Sequence, residues 1–233
     1  MSSFTFNGHS STEYGLIVEH IPEYPIPERV VDTISVRGRN GDLVVDTGAY
    51  ANVSQVYHVY FNTDNTTYNA RMNSAAMWLY GARGYKRLED TYDTSIYRKA
   101  MVNLAETANN FRNKHGRFDI TFNCKPQRYL KSGETEVAVV SGATVVNSYM
   151  PCYPIFTVTG NGNLNVNGNI VTISNNSGDT ITIDCETQNA YKGTTNRNSD
   201  IVVTGDFPYL KSGNNVITFD TTTVKMIPNW WTL

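Results

Sequence analysis

Strand-like segments dominate this 233-residue chain, some of them alternating apolar and polar positions with the period of two of strands that bury one face and wet the other. Phe4-Thr5-Phe6 alternates and stops at Asn7-Gly8, a turn dipeptide. Gly15 to Glu19 reads as a second short strand. Three prolines (Pro22, Pro25, Pro27) exclude helix and central strand from residues 22–27. Arg29 to Val36 reads as a strand, Gly38 to Leu43 as a loop or hairpin tip, and Gln55 to Phe61, β-branched and aromatic, as another strand. Tyr85 to Leu88, Tyr97 to Val102 and Gly116 to Phe122 follow. In the last of these Phe118, Ile120 and Phe122 share one face.

One segment departs from the period of two. Between Thr67 and Tyr80 the apolar residues Tyr68, Met72, Ala75, Ala76 and Leu79 fall three and four apart, with Gly81 as a stop, which predicts an amphipathic helix packed on a sheet. Met and Trp78 within it read as core. From Cys124 to Tyr149, Pro126, Ser132-Gly133 and Ser141-Gly142 mark a connection, in which Glu136 to Val140 could pair as a strand. Beyond it strands and turns alternate quickly: 154–159, 163–166, 169–174, 180–184, 201–203, 216–219 and 223–227. Asn167-Gly168 is the strongest hairpin signal in the chain. Short strands at this spacing predict a β-sandwich. The expected class is therefore mainly β in two domains, 1–140 with one α-helix and 141–233 as a sandwich.

Composition supports this picture, since Tyr (15 residues), Thr and Asn are plentiful and favour strands and turns. The net charge of −2 offers no basic surplus for phosphate, which argues against a role on nucleic acid. Only four basic residues (Lys192, Arg197, Lys211, Lys225) lie in 141–233, so the first part is mixed in charge and the second weakly charged. No apolar run could span a membrane, and the start of the chain lacks the pattern of a signal peptide. The Asn-x-Ser/Thr triplets at Asn52, Asn65 and Asn175 therefore read as chance matches, and synthesis in a cytoplasm is expected.

Candidate chemistry is sparse. Cys124, Cys152 and Cys185 are widely spaced and read as buried thiols, without zinc-ligand spacing. His9, His20, His58 and His115 form no ligand pattern. Glu89, Asp90 and Asp93 lack the arrangement of a calcium loop and read as a turn with solvated acids. Gly160-Asn161-Gly162 leads into a strand rather than a helix, so it is a tight turn and not a dinucleotide fingerprint. No catalytic residue, metal or cofactor is expected. Tyr191, Tyr209, Trp230 and Trp231, with many Asn, suggest as an alternative a carbohydrate-binding adhesion module, with Tyr209 and Trp230 as stacking residues.

Several stretches in order carry a resemblance: Phe4-Thr5-Phe6-Asn7-Gly8, Tyr14-Gly15-Leu16-Ile17-Val18, Val36-Arg37-Gly38-Arg39-Asn40-Gly41-Asp42-Leu43, Trp78-Leu79, Leu88-x-Asp90-x-Tyr92-Asp93, Gly116-Arg117 leading to Thr121-Phe122-x-Cys124-Lys125-Pro126, and Gly205-Asp206-Phe207-Pro208-x-Leu210-x-x-Gly213-x-Asn215. Together they resemble the distal tail proteins of siphophages that infect Gram-positive bacteria. The resemblance implies a β-sandwich-like N-terminal domain, 1–140, that builds a homo-hexameric ring, and a galectin-like sandwich, 141–233. It further implies a virion hub between the tail tube protein and the tail-tip or baseplate proteins, made in the host cytoplasm and not an enzyme. The loop Arg37, Gly38, Arg39, Asn40, Gly41 and Asp42, with the proline-rich stretch before it, then suits an arm reaching a neighbouring copy.

Overall fold

A computed structural model of the chain describes residues 2–61, 68–102, 117–174 and 178–233. Thr67 of the predicted helix, Asn65, His115, Gly116 and Asn175 lie outside these residues. The protein is mainly β and divides into two compact units between Arg128 and Tyr129, the terminal Leu233 falling with the first.

The first unit contains β1 (Phe4–Phe6), β2 (His9–Ser10), β3 (Leu16–Val18), β4 (Arg29–Ile34), β5 (Leu43–Tyr50), β6 (Val53–Phe61), α1 (Tyr68–Gly81), β7 (Lys86–Asp90), β8 (Ile96–Met101) and most of β9 (Arg117–Leu130). Its main sheet runs in the order β2-β1-β7-β8-β9-β6-β3, while β4 and β5 form a separate two-stranded ribbon. The strict alternation of β6 turns Val53, Tyr57, Val59 and Phe61 inward, opposite β9 residues that include Ile120 and Phe122. α1 presents Ala75, Trp78 and Leu79 to the same core, as its spacing requires, while Met77 points to solvent. Trp78 joins a cluster of aromatic rings: it stacks on Tyr14 at 4.4 Å and on Phe4 at 5.7 Å, and Phe122 meets Phe6 at 5.0 Å. Its indole N–H donates to Phe6 O at 3.1 Å, so no polar atom of the ring is stranded by burial.

The turn after β7 differs from its expectation. The acids there are not simply solvated. Asp90 accepts from Tyr57 Oη (3.0 Å), Tyr24 Oη (3.2 Å), Tyr92 N–H (2.9 Å) and Asp93 N–H (3.0 Å). Asp93 pairs with Arg128 at 2.9 Å, and Glu89 with Arg87. A carboxylate that takes two backbone N–H groups shapes the turn, and two tyrosines carry its charge into the core. Asp93 is held below the usual carboxylate range, mainly by its bond from Ser95 and secondarily by Arg128.

The second unit contains β10 (Val137–Ala138), β11 (Thr144–Asn147), β12 (Ile155–Thr159), β13 (Gly162–Val166), β14 (Asn169–Ile173), β15 (Thr180–Asp184), β16 (Asn189–Lys192), β17 (Thr195–Asn196), β18 (Ile201–Thr204), β19 (Gly213–Phe219), β20 (Thr223–Ile227) and β21 (Trp231–Thr232). One sheet is ordered β10-β20-β12-β15-β16-β17 and the other β11-β19-β13-β14-β18. Phe156, Val158, Ile181, Ile183 and Met226 from the first meet Leu164, Val166, Val171, Ile173 and Ile217 from the second in one core, which makes the unit a β-sandwich. The stretch read as a connection supplies β10 and β11. β9 continues past Pro126 to Leu130, whose N–H bonds Trp230 O at 2.9 Å.

The β13–β14 hairpin closes on Asn167 (φ 54°) and Gly168 (φ 101°), both left-handed, as a two-residue turn demands. At Gly133 the constraint is space: a Cβ there would sit 2.4 Å from Trp230 N.

Two outcomes follow for stability. Asp90→Ala removes four hydrogen bonds at a part-buried carboxylate and should cost about 3 kcal/mol in a chemical-denaturation experiment; a loss below about 0.5 kcal/mol, the range of neutral surface changes, would contradict this account. Tyr24 is raised from 10.0 to about 12 by burial and then by Asp90, and Tyr57 is raised well above its ordinary value by the same causes. Above pH 10 the native chain therefore keeps protons that the unfolded chain loses, so stability is full below about pH 10 and declines as pH rises toward about 12. Denaturation midpoints across that window should fall, and fall less in Tyr57→Phe.

Candidate interaction surface

The ribbon of β4 and β5 is the feature that the rest of the first unit does not explain. Its strands pair antiparallel, Ile34 with Leu43, Thr33 with Val44, Asp32 with Val45 and Val31 with Asp46. The register then shifts before Arg29 meets Tyr50. A local device makes that shift. Asp46 Oδ1 accepts from Gly48 N–H at 2.8 Å, Thr47 Oγ1 donates to Val30 O at 2.7 Å, and Gly48 adopts φ 73°, which glycine takes without strain. Arg29 Nη1 ties the two strands at the base by bonding Asp46 Oδ2 at 2.6 Å. The Gly48 N–H first, and then Arg29, hold the Asp46 carboxyl below its usual range.

Every residue from Glu28 to Ala49 is exposed. Among them are Val30, Val31, Ile34, Val36, Leu43, Val44 and Val45, with Ile34 at 50% and Val44 at 58%. Cross-strand partners share a face, so Ile34, Leu43 and Val45 lie on one side of the ribbon and Val31 and Val44 on the other. Both faces are therefore apolar. A ribbon resting on one surface needs only one apolar face; two suit a ribbon held between surfaces. Just before it, Ile26 is 86% and Ile21 65% exposed in the proline-rich stretch.

The predicted loop sits at the tip of this ribbon. Arg39 N–H bonds Val36 O at 3.1 Å, and Gly38 and Gly41 take φ of 84° and 80°. Arg37, Gly38, Arg39, Asn40, Gly41 and Asp42 are all exposed there. Sequence reading found the tip and the first strand but not β5, although Val44-Val45 is a β-branched signal. It also could not see that the whole ribbon stands free.

The other singled-out residues do not converge. Tyr209 pairs with Tyr153, ring centroids 6.1 Å apart, and Trp230 with Tyr149 at 6.2 Å, Trp230 also packing against the sandwich core. His9 bonds Glu13 at 3.0 Å, and His58, stacked on His20, bonds Asp119 at 2.5 Å. Among the described residues no group of three or more His, Cys, Asp or Glu is placed to hold a metal. The three cysteines are free and buried, and burial pushes the Cys124 and Cys152 thiols up to about 12. Among the described residues no helix is long and apolar enough to cross a membrane.

Residues 147–230 match the family model for a siphovirus-type tail component, C-terminal domain. The match lies within the sandwich unit, which is similar to that tail-component domain. The resemblance to siphophage distal tail proteins drawn from the sequence is borne out. Among solved structures, the SPP1 Dit protein, described as a paradigm of hub adsorption apparatus in Gram-positive infecting phages, aligns with a TM-score of 0.77 at 10% identity, covering 97% of each chain. A chain of the phage p2 baseplate in its activated conformation with Sr aligns at 0.50, with 10% identity and 97% of each chain covered. At these identities the likeness is one of fold. No curated protein matches the chain.

The ribbon's architecture has a simple check. Asp46→Ala removes both the bulge-forming acceptor and the Arg29 pair, so hydrogen exchange in residues 29–50 should accelerate while exchange in β6 and β9 stays unchanged. Equal acceleration across the first unit would mean that the ribbon is not a separate cooperative element.

Proposed function

We propose that the protein is the structural hub of the tail tip, six copies forming a ring that joins the tail tube protein above to the tail-tip or baseplate proteins below. In this reading the first domain, 1–140 as expected from sequence, builds the ring, and the galectin-like sandwich beyond it faces outward. The chain is a scaffold and not an enzyme, and is made in the host bacterial cytoplasm.

The observation that carries the reading is the ribbon of β4 and β5. A two-stranded ribbon is marginal in water by itself, and the five exposed apolar residues Val31, Ile34, Leu43, Val44 and Val45 on its two faces call for a partner. A second copy of the chain is the economical partner, because a head-to-tail contact that repeats by rotation closes a ring. The tip residues Arg37, Gly38, Arg39, Asn40, Gly41 and Asp42 then reach the neighbour, with Arg37, Arg39 and Asp42 fixing orientation through charge. The hub role described for the SPP1 Dit protein, whose fold this chain resembles over almost its full length, supports the same reading.

Light scattering over a concentration series, with negative-stain imaging of the largest species, tests it. Six-fold rings with an open centre are expected. Ile34→Asp with Val44→Asp should yield monomers whose melting temperature matches that of a ring-free wild type, since neither side chain belongs to the core. Deletion of 37–43 should weaken ring formation. Rings that survive both changes would assign assembly to another surface. Wild-type protein that stays monomeric, alone and mixed with the tail tube protein, would overturn the hub reading.

A further inference from the structure

The outer face of the sheet β11-β19-β13-β14-β18 carries an arrangement that a scaffold does not require. Register places its side chains in two rows across four strands. One row is Thr204, Ile170, Asn165 and Thr218. The next is Val202, Thr172 and Asn163, continued by Asp220, whose N–H bonds Asn163 O at 3.2 Å. Six of these eight side chains can donate or accept hydrogen bonds. They stand opposite Leu164, Val166, Val171, Ile173 and Ile217, which fill the core on the other face. The rows floor a groove of about 510 Å³, within the range of small-molecule sites. At strand spacing it spans roughly 14 Å across and 7 Å along the strands.

Part of this face is locked in place. Thr172 Oγ1 donates to Asn163 Oδ1 at 2.8 Å, and Asn163 Nδ2 reaches Asp220 Oδ2 at 3.4 Å, while the Asn163 N–H is bonded to Asp220 Oδ1. Asn165 Oδ1 is held by the Gly168 N–H at 2.8 Å. Side chains fixed by one another lose little entropy when a ligand arrives. The Asn165 amide N–H groups and the Thr204 and Thr218 hydroxyls are not used by these bonds and face the groove. Ile170 and the half-buried Phe219 add apolar contact. Among the described residues no lysine or arginine lines the groove, and Asp220 supplies the one carboxylate.

From this chemistry we infer that the groove binds a neutral saccharide. Mixed donors and acceptors with short apolar patches match a ring that presents hydroxyls at its edge and C–H groups on its faces. The missing cation leaves a phosphate- or carboxylate-bearing polymer without a counter-charge, and Asp220 repels it. The site is distinct from the aromatic residues Tyr209 and Trp230, and it needs no ring.

The test is a glycan array of neutral di- and trisaccharides built from hexoses, 6-deoxyhexoses and N-acetylhexosamines, with a glycerol-phosphate oligomer as the anionic comparison. Calorimetric titration of the full chain with the best neutral binder follows. Thr204→Lys and Thr218→Lys are solvent-facing changes that should leave melting temperature and ring formation intact and weaken binding about tenfold or more, the loss of one good contact. Tyr209→Ala should leave binding unchanged. Three results would overturn the inference: no neutral saccharide bound at about 10 mM, a limit beyond ordinary weak binding; binding lost in Tyr209→Ala but kept in both lysine variants; or preference for the glycerol-phosphate oligomer. Ring formation is read separately in the same samples, so failure here leaves the hub reading standing.

Discussion

The constraint on which this molecule turns is that its β4–β5 ribbon cannot bury its own apolar side chains. A pair of strands has two faces and no third layer, and here neither face rests on the unit that bears it. Leaving Val, Ile and Leu about half exposed forfeits a share of the about 1.5–3 kcal/mol that full burial of each side chain contributes. Short polar devices at the base, the Arg29–Asp46 pair and the turn around Gly48, keep the ribbon in register without satisfying that demand. Such an element suits the assembly proposed above, and the likeness of the sandwich unit to a siphovirus-type tail component domain accords with it.

The first unit meets the complementary requirement, a rigid base. Its core is a cluster of aromatic rings from β1, β6, β9 and α1, whose polar atoms are all led to partners inside the unit: the Trp78 indole to Phe6, the Tyr57 hydroxyl to Asp90. Asp90 is the point where turn, core and the proline-rich stretch meet, because Tyr24 lies on that stretch and bonds the same carboxylate as buried Tyr57. The segment leading to the ribbon is thereby fastened to the core by a charge-assisted bond, while the ribbon itself remains free.

The second unit divides its labour between two faces. Inward positions of both sheets are occupied by Ile, Val, Leu, Phe and Met, and the outward positions of β13, β14, β18 and β19 by Asn and Thr interspersed with Ile170, Val202 and Val216. The same alternation that secures the sandwich thus also sets a patterned polar surface at strand spacing, available for recognition at no cost to the core.

Much of this was legible in the chain, for reasons that are local. Phe4-Thr5-Phe6, Gln55 to Phe61 and Phe118 to Phe122 announce strands by alternation, Met72 to Leu79 a helix by threes and fours, and Asn167-Gly168 a turn by the two left-handed residues it needs. Tertiary structure decided what depends on distant partners. β9 runs through Pro126 because its neighbours hold it, and Asp90 is an anchor and not a solvated acid because Tyr24 and Tyr57 come from far along the chain. The transverse rows on the sandwich exist only once four strands fall into register. Most of all, sequence marks Val30 to Ile34 as strand and stays silent on whether it is covered, since periodicity records which residues seek burial and only the fold determines where they find it.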